Sequence, residues 1–152
     1  MEFNINSGKK PVVQVKYFYG IEPYIEPITK GDWIDLRSAV NKIYKAGELV
    51  KIPLGIAMKL PRGFEAHMAA RSSTCKNFGL IPANGFGIID NSYCGDEDEW
   101  CFLGYAVRDG GVNAGDRICQ FRVFENMPSL FFDNVLFLGG ESRGGFGSTG
   151  IK

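Results

Sequence analysis

Residues 47–73, GELVKIPLGIAMKLPRGFEAHMAARSS, contain two apolar runs separated by a short turn. The first run extends from Leu49 to Leu60 and the second from Phe64 to Ala70. Short apolar runs bounded by turn-forming residues are typical of the strands of an all-β sandwich or barrel. The same rhythm continues on both sides of this stretch. The other runs are Val12 to Tyr19, Gly85 to Ile89, Trp100 to Val107, Arg117 to Phe124 and Leu130 to Leu138.

Alternation at period two within several runs indicates strands with one buried face. In the first of them, Val13, Val15 and Tyr17 alternate with residues that face the other way. Only the segment Ile34 to Tyr44 has an apolar spacing compatible with a helix, and it fits a short helix or a loop equally well. Twenty glycines and seven prolines supply the turns that many short strands need.

Length and composition bound the organisation of the chain. The 152 residues have the length of one domain, which is enough to bury a core without disulfides or structural metals. From Gly139 onward the sequence reads GGESRGGFGSTGIK, which is too rich in glycine to pack a core. We therefore expect a β domain over residues 1–139 and a mobile glycine-rich arm over residues 140–152.

Charge, hydropathy and cysteine usage exclude several classes of function. Seventeen Lys and Arg balance seventeen Asp and Glu, so direct binding of nucleic acid is not expected. The sequence contains no secretory signal and no apolar run that could span a membrane, which favours a cytoplasmic protein. His67 is the only histidine and the cysteines form no C-x-x-C pair, which argues against zinc and predicts buried free thiols. The cysteines are Cys75, Cys94, Cys101 and Cys119.

Two motifs in the middle of the chain carry residues suited to a phosphorylated ligand. Arg71, Ser72 and Ser73 form either a solvated turn or a phosphate cradle made of a guanidinium and two hydroxyls. In NGFGIIDNSYCG, residues 84–95, Asp90 ends an apolar run and Tyr93 follows it. This stretch is either an ordinary hairpin or the edge of a pocket at which Asp90 acts as a general base.

Two later segments have equally open interpretations. In AGDRICQ, residues 114–120, a turn and a strand explain most positions, and Gln120 is either a buried residue or a phosphate donor. The segment RGGFGSTG, residues 143–150, is either a disordered tail or a lid. In a lid, Arg143 would bind phosphates and Phe146 would stack on a base.

In their order along the chain, these segments resemble the five motifs of the trimeric dUTPase family, over roughly residues 31–150. Motif one is similar to GDWIDLRSA (31–39) and motif two to ARSST (70–74). Motifs three, four and five are similar to residues 84–95, 114–120 and 143–150. The resemblance implies a jelly-roll-like β-sandwich or barrel. It also implies hydrolysis of dUTP to dUMP and pyrophosphate by attack of water on the α-phosphorus, which limits uracil in DNA and supplies dUMP for dTMP synthesis.

The resemblance implies roles for individual residues as well. Asp90 would be the catalytic base, and Tyr93 would pack under the deoxyribose. Asp35 would lie near the water shell of a Mg²⁺ ion that binds mainly the triphosphate. The arm would come from another subunit of a homotrimer and close a site at the subunit interface. The expected substrate-binding residues are Arg71, Ser72, Ser73 and Gln120 for phosphates, Asn84, Gly87, Ile88 and Ile89 for uracil, and Arg143, Phe146, Gly147, Ser148 and Thr149 in the arm.

Three alternatives remain open at this point: a dCTP deaminase of the same superfamily, a nucleotide-sensing regulatory protein and a structural β-sandwich. The deaminase also carries an Arg-Ser-Ser segment, but it lacks the pairing of Asp90 and Tyr93 with a glycine-rich motif five. Three features depart from the family pattern: the sequence GDWIDL, Thr74 in place of a bulky apolar residue, and the acidic run Asp96 to Glu99. The acidic run either alters the rim of the deoxyribose site or only solvates a loop, which is the usual fate of a charge cluster.

Overall fold

The computed structural model describes residues 8–26, 28–148 and 150, which form eleven strands and one five-residue helix. No helix in this part of the chain is long and apolar enough to cross a membrane. The elements are β1 (Gln14–Tyr17), β2 (Ile34–Arg37), β3 (Lys42–Tyr44), β4 (Leu49–Pro53), β5 (Ile56–Lys59), β6 (Phe64–Ala70), α1 (Thr74–Phe78), β7 (Leu80–Pro82), β8 (Gly87–Ile89), β9 (Cys101–Ala106), β10 (Gly110–Val112) and β11 (Arg117–Glu125).

The strands pair in antiparallel fashion in four sheets. One sheet has the order β2-β11-β6-β8, a second has the order β4-β9-β7, and the pairs β1-β5 and β10-β3 form two small sheets. Neighbouring strands in the larger sheets are mostly distant in sequence, as in jelly-roll-like sandwiches. The predicted all-β fold is therefore confirmed.

The hydrophobic core draws side chains from both larger sheets, because alternate residues of each strand point inward. Its largest members include Trp100, just before β9, and Phe121 in β11, whose rings pack edge to face with centroids 5.4 Å apart. Burial of a side chain as large as Phe121 contributes roughly 1.5–3 kcal/mol. This pair anchors the start of β9 in the core, next to the candidate site.

Two expectations about secondary structure are wrong. The segment Ile34 to Tyr44 is not a helix or a simple loop, because β2 pairs with β11 and β3 pairs with β10, and strand pairing overrides a weak helical spacing. The run Leu130 to Leu138 forms no strand, and each of its side chains is exposed after β11 ends at Glu125. No described strand pairs with this run. The division of the chain into residues 1–139 and 140–152 stays a prediction.

The expectation of buried thiols holds for one cysteine of four. Cys119 is buried in β11, and burial raises the pKa of its thiol. Cys75, in α1, and Cys94, in the loop after Tyr93, are exposed. Cys101 is half-buried at the start of β9.

Candidate active site

A cleft of about 440 Å³ is lined by β8, by the segments on either side of it, and by residues of β4 and β9. The structure brings together in this cleft all of the residues that the third motif predicts for uracil, deoxyribose and catalysis. They are Asn84, Gly87, Ile88, Ile89, Asp90 and Tyr93. Their individual roles remain predictions, but their common location is a property of the fold.

Two glycines shape the hairpin where β8 approaches β6. Gly87 pairs with Met68, and a Cβ atom added to Gly87 would lie 3.1 Å from Cε and 3.4 Å from Cβ of that side chain. Gly85 has a φ of +75°, a conformation that glycine adopts without strain. These two glycines therefore turn the hairpin and bring its backbone to the edge of the cleft, as their spacing predicts.

Asp90 is an exposed carboxylate at the end of β8, held by the residues that follow it. Its Oδ1 accepts hydrogen bonds from the backbone N–H of Ser92 at 2.8 Å and from the Ser92 hydroxyl at 2.6 Å. These bonds hold the pKa of Asp90 below its ordinary value, because they stabilise the ionised form. Asn91 lies between Asp90 and Ser92, and its side-chain amide donates to the carbonyl oxygens of Leu60 and Pro61 at 3.2 and 2.9 Å. The loop is thus tied to the sandwich while Asp90 stays ionised and accessible.

Tyr93 lines the same cleft, and its hydroxyl donates to the backbone carbonyl oxygen of Glu99 at 3.1 Å. Glu99 is half-buried and also lines the cleft. Of the two interpretations of the acidic run, simple solvation of a loop does not describe Glu99. Sequence reasoning missed both Ser92 and Glu99. For Glu99 the reason is that the charge of the acidic run does not show which of its four side chains turns inward.

A second group of predicted residues surrounds Asp35 on neighbouring strands. Oδ1 of Asp35 accepts from Nε of Arg71 at 2.8 Å, and Oδ2 accepts from Nη1 of Arg117 at 3.2 Å. Gln120 lies opposite Asp35 in the β2–β11 register, and its side-chain amide donates to the carbonyl oxygen of Ala70 at 3.1 Å. We call Asp35, Arg71, Arg117 and Gln120 the polar cluster. Sequence reasoning included each of these residues except Arg117.

The hydroxyls of the Arg-Ser-Ser motif lie at the start of α1. Ser73 occupies the N-cap position, but its side chain makes no capping hydrogen bond. The adjacent Thr74 is fully buried, accepts from the Arg71 backbone N–H at 2.9 Å and donates to the Ile118 carbonyl at 2.8 Å. The departure at Thr74 is therefore structural, since its hydroxyl joins β6 to β11. Among the described residues that line the cleft, none belongs to the polar cluster or to Ser72 and Ser73.

The predicted arm residues are also separate from the cleft. Arg143, Phe146, Gly147 and Ser148 are exposed, and Phe146 has a φ of +51°. The backbone N–H of Ser148 donates to the carbonyl of Gly145 at 3.1 Å, which closes a turn within the arm. Thr149 lies outside the described residues. The residues described in the arm do not line the cleft of this chain.

The donor atoms favour a metal ion carried by the ligand over one enclosed by side chains. Both carboxylate oxygens of Asp35 are already paired with guanidinium groups. Over residues 8–26, 28–148 and 150, no group of three or more His, Cys, Asp or Glu could hold a metal ion. Mg²⁺ commonly keeps several waters and binds phosphate oxygens. A Mg²⁺ ion held mainly by the phosphates of a ligand would fit these donor atoms, and the place of Asp35 near its water shell stays a prediction.

Solved structures with the same fold define the class of protein. The dUTPase of Staphylococcus bacteriophage 80alpha, in a mutant bound to dUpNHpp, superposes with a TM-score of 0.74 at 19% identity, covering 92% of this chain and 99% of that one. The dUTPase of phage phi11 of S. aureus, whose mutant structure details the coordination of a structural Mg(II) ion, gives a TM-score of 0.70 at 15% identity and covers 84% and 98% of the two chains. The fold is thus that of the dUTPases.

Sequence comparison gives the family. The dUTPase family model matches residues 26–150. The SPbeta prophage-derived deoxyuridine 5′-triphosphate nucleotidohydrolase YosS of Bacillus subtilis (strain 168) is 49% identical over 140 residues, which cover 92% of this chain and 99% of that protein. This chain therefore belongs to the dUTPase family, as its ordered motifs predict.

Proposed function

We propose that this chain is a cytoplasmic dUTP pyrophosphatase, which hydrolyses dUTP to dUMP and pyrophosphate. The observation that carries the proposal is the cleft that Asp90 and Tyr93 share with the hairpin residues Asn84, Gly87, Ile88 and Ile89. Membership in the dUTPase family supports dUTP as the substrate. The reaction would limit the incorporation of uracil into DNA and supply dUMP for the synthesis of dTMP.

In the proposed reaction, Asp90 takes a proton from a water molecule as the water oxygen bonds to the α-phosphorus. The bond between the α-phosphorus and its bridging oxygen breaks, and pyrophosphate leaves. The two hydrogen bonds from Ser92 suit this role, because they keep the carboxylate ionised and fix its position. Mg²⁺ bound to the triphosphate would neutralise the charge that develops on the leaving group. The Asn84 side chain and the hairpin backbone would bind uracil.

The proposal includes a homotrimer with sites at the subunit interfaces. Residues for the nucleoside and residues for the phosphates occupy different parts of one chain, so a second subunit is needed to bring them together. Exposed apolar side chains after β11 support association, since a solvated monomer would leave them in water. Those exposed by at least three quarters are Phe131, Phe132, Leu136, Phe137, Leu138 and, in the arm, Phe146. Light scattering at micromolar concentration should give the mass of three chains.

A product assay tests the proposed reaction. The purified protein is incubated with dUTP or dCTP, with Mg²⁺ or with a chelator, and products are separated by ion exchange. We expect dUMP and pyrophosphate from dUTP in the presence of Mg²⁺, and a large loss of rate with the chelator. Formation of dUTP from dCTP would instead indicate the deaminase, and absence of any product would favour a regulatory or structural role.

A further inference from the structure

We propose that Glu99 is a positioning residue that holds Tyr93 in place and thereby sets the preference for 2′-deoxyribose over ribose. The inference rests on the proposed function, in which Tyr93 packs under the deoxyribose. Glu99 is the last residue of the acidic run that sequence reasoning leaves without a role. Three contacts of Glu99 carry the argument, two of its carboxylate and one of its backbone.

The Glu99 carboxylate is fixed by two donors from distant parts of the chain. Its Oε1 accepts from the backbone N–H of Gly55 at 2.9 Å, and its Oε2 accepts from the Tyr19 hydroxyl at 2.7 Å. The Gly55 turn is itself tied to the segment after β1, because its carbonyl accepts from the Phe18 N–H at 2.9 Å and its Cα packs closely against the Ile21 side chain. The carboxylate is therefore clamped between the end of β1 and the β4–β5 turn.

The Glu99 backbone is fixed on its other side by the core. The next residue, Trp100, is almost completely buried, and its backbone N–H donates to the backbone carbonyl of Ile56 at 2.8 Å. The Trp100 carbonyl accepts from the Leu54 N–H at 2.9 Å. The Glu99 carbonyl that receives the Tyr93 hydroxyl therefore belongs to a segment held both by its own side chain and by the core.

This arrangement makes Tyr93 a stiff part of the cleft wall. A hydroxyl bound to a fixed acceptor restricts movement of the ring, whereas a free tyrosine at 42% exposure would have room to shift. Steric rejection of one extra hydroxyl on the sugar requires a wall that does not yield. Loss of the Glu99 clamp is therefore expected to relax the sugar preference more than it slows turnover of dUTP.

The decisive variants change only the end of the acidic run. Glu99→Ala removes both carboxylate contacts, whereas Glu99→Gln keeps them, since the amide oxygen can accept from Gly55 and the amide N–H can donate to Tyr19. Glu97→Ala is the matched control, because it removes one negative charge from the same run at an exposed residue outside the cleft. The measured quantity is the ratio of kcat/KM for dUTP to kcat/KM for UTP.

We expect the ratio to fall about tenfold in Glu99→Ala, the factor that one hydrogen bond contributes, mainly through faster turnover of UTP. Glu99→Gln and Glu97→Ala should stay close to the unmodified protein. Tyr93→Phe, which removes only the hydroxyl, should reproduce the fall and covers the case in which Glu99→Ala does not fold. Equal losses on both substrates in Glu99→Ala, or an unchanged ratio in Tyr93→Phe, would overturn the proposal.

Failure of this inference can be told apart from failure of the proposed function. If the unmodified protein hydrolyses dUTP and discriminates against UTP, an unchanged ratio in the variants rejects the role of Glu99 alone. If the unmodified protein does not hydrolyse dUTP, the proposed function and the inference that rests on it both fail.

Discussion

The cleft around Asp90 and the polar cluster around Asp35 differ in how far one chain completes them. The cleft is open, and the predicted nucleoside-binding residues already line it. In the polar cluster, the guanidinium groups of Arg71 and Arg117 both pair with Asp35, so its carboxylate offsets one of the two positive charges that would meet phosphates. Neither region contains residues of the other.

The difference between the two regions indicates which parts of the proposed site are already in place within one chain. In the proposed trimer, each chain contributes two halves of a site, and each half is supported by its own hydrogen bonds. A second subunit of that trimer would place its polar cluster against the first subunit's cleft, so that one nucleoside triphosphate contacts both kinds of residue. Oligomerisation, in this account, completes the chemistry and adds no new side chains to either half.

The largest expected effect comes from disabling the cleft alone. Asp90→Asn keeps the shape of the side chain but cannot accept the proton of the attacking water, so kcat should fall by about 10²- to 10⁴-fold. Affinity for dUpNHpp, measured by calorimetry, should stay unchanged. Asp96→Asn is the control at an exposed aspartate of the same loop. Turnover of Asp90→Asn near that of the unmodified protein would remove Asp90 from the mechanism.

The next largest effect should come from the arm, which belongs to neither half. A chain that lacks residues 140–152 should keep its melting temperature, because the residues described there are exposed, but hydrolyse dUTP roughly 10²-fold more slowly. Thermal unfolding and steady-state kinetics check both parts. Phe146→Trp in the full chain should change its fluorescence when dUpNHpp is added. Full activity of the shortened chain would make the arm an ordinary tail.

A third prediction concerns the framework of the polar cluster. Thr74→Val preserves shape but leaves the Arg71 N–H and the Ile118 carbonyl without their buried partner, so the free energy of unfolding should fall by about 1–3 kcal/mol. Urea denaturation at one protein concentration measures it. Ser73→Ala is the control, since that side chain makes no capping bond. Equal stability of Thr74→Val and the unmodified protein would show that the hydroxyl does not hold β6 to β11.

The smallest expected effect is a change in pH dependence. Ser92→Ala removes the hydroxyl donor to Asp90 but keeps the backbone N–H, so the pKa of Asp90 rises toward its ordinary value. Because the base must be ionised, the acidic limb of the kcat profile should move to higher pH. Ser92→Thr should restore it. An unmoved limb would mean that the hydroxyl does not tune Asp90.

Sequence reasoning succeeded where function is local in the chain. The apolar runs predicted the strands, and the cleft residues between Asn84 and Tyr93 lie close together in sequence, so one hairpin brings them together. It was less complete where contacts join distant segments. Nothing in the charge pattern shows that Glu99 reaches Tyr19, or that Arg117 joins Asp35.

The failed predictions also have a physical cause. Ile34 to Tyr44 has too little local preference to decide its structure, and pairing with β11 and β10 makes it two strands. Leu130 to Leu138 is as apolar as a strand, but a strand needs a partner, and no described strand pairs with it. A single sequence does not say whether such a partner lies in the same chain or in another copy.

The most direct test of the central claim mixes two inactive variants. Asp90→Asn disables the cleft and Arg71→Ala disables the polar cluster, and the two proteins are unfolded together, refolded and assayed with dUTP. If each site joins the cleft of one subunit to the cluster of another, roughly one quarter of the sites in random mixed trimers are intact, and a corresponding share of activity should return. If the mixture stays as inactive as each variant alone although light scattering shows trimers of exchanged subunits, the two halves do not meet between subunits and the account is wrong.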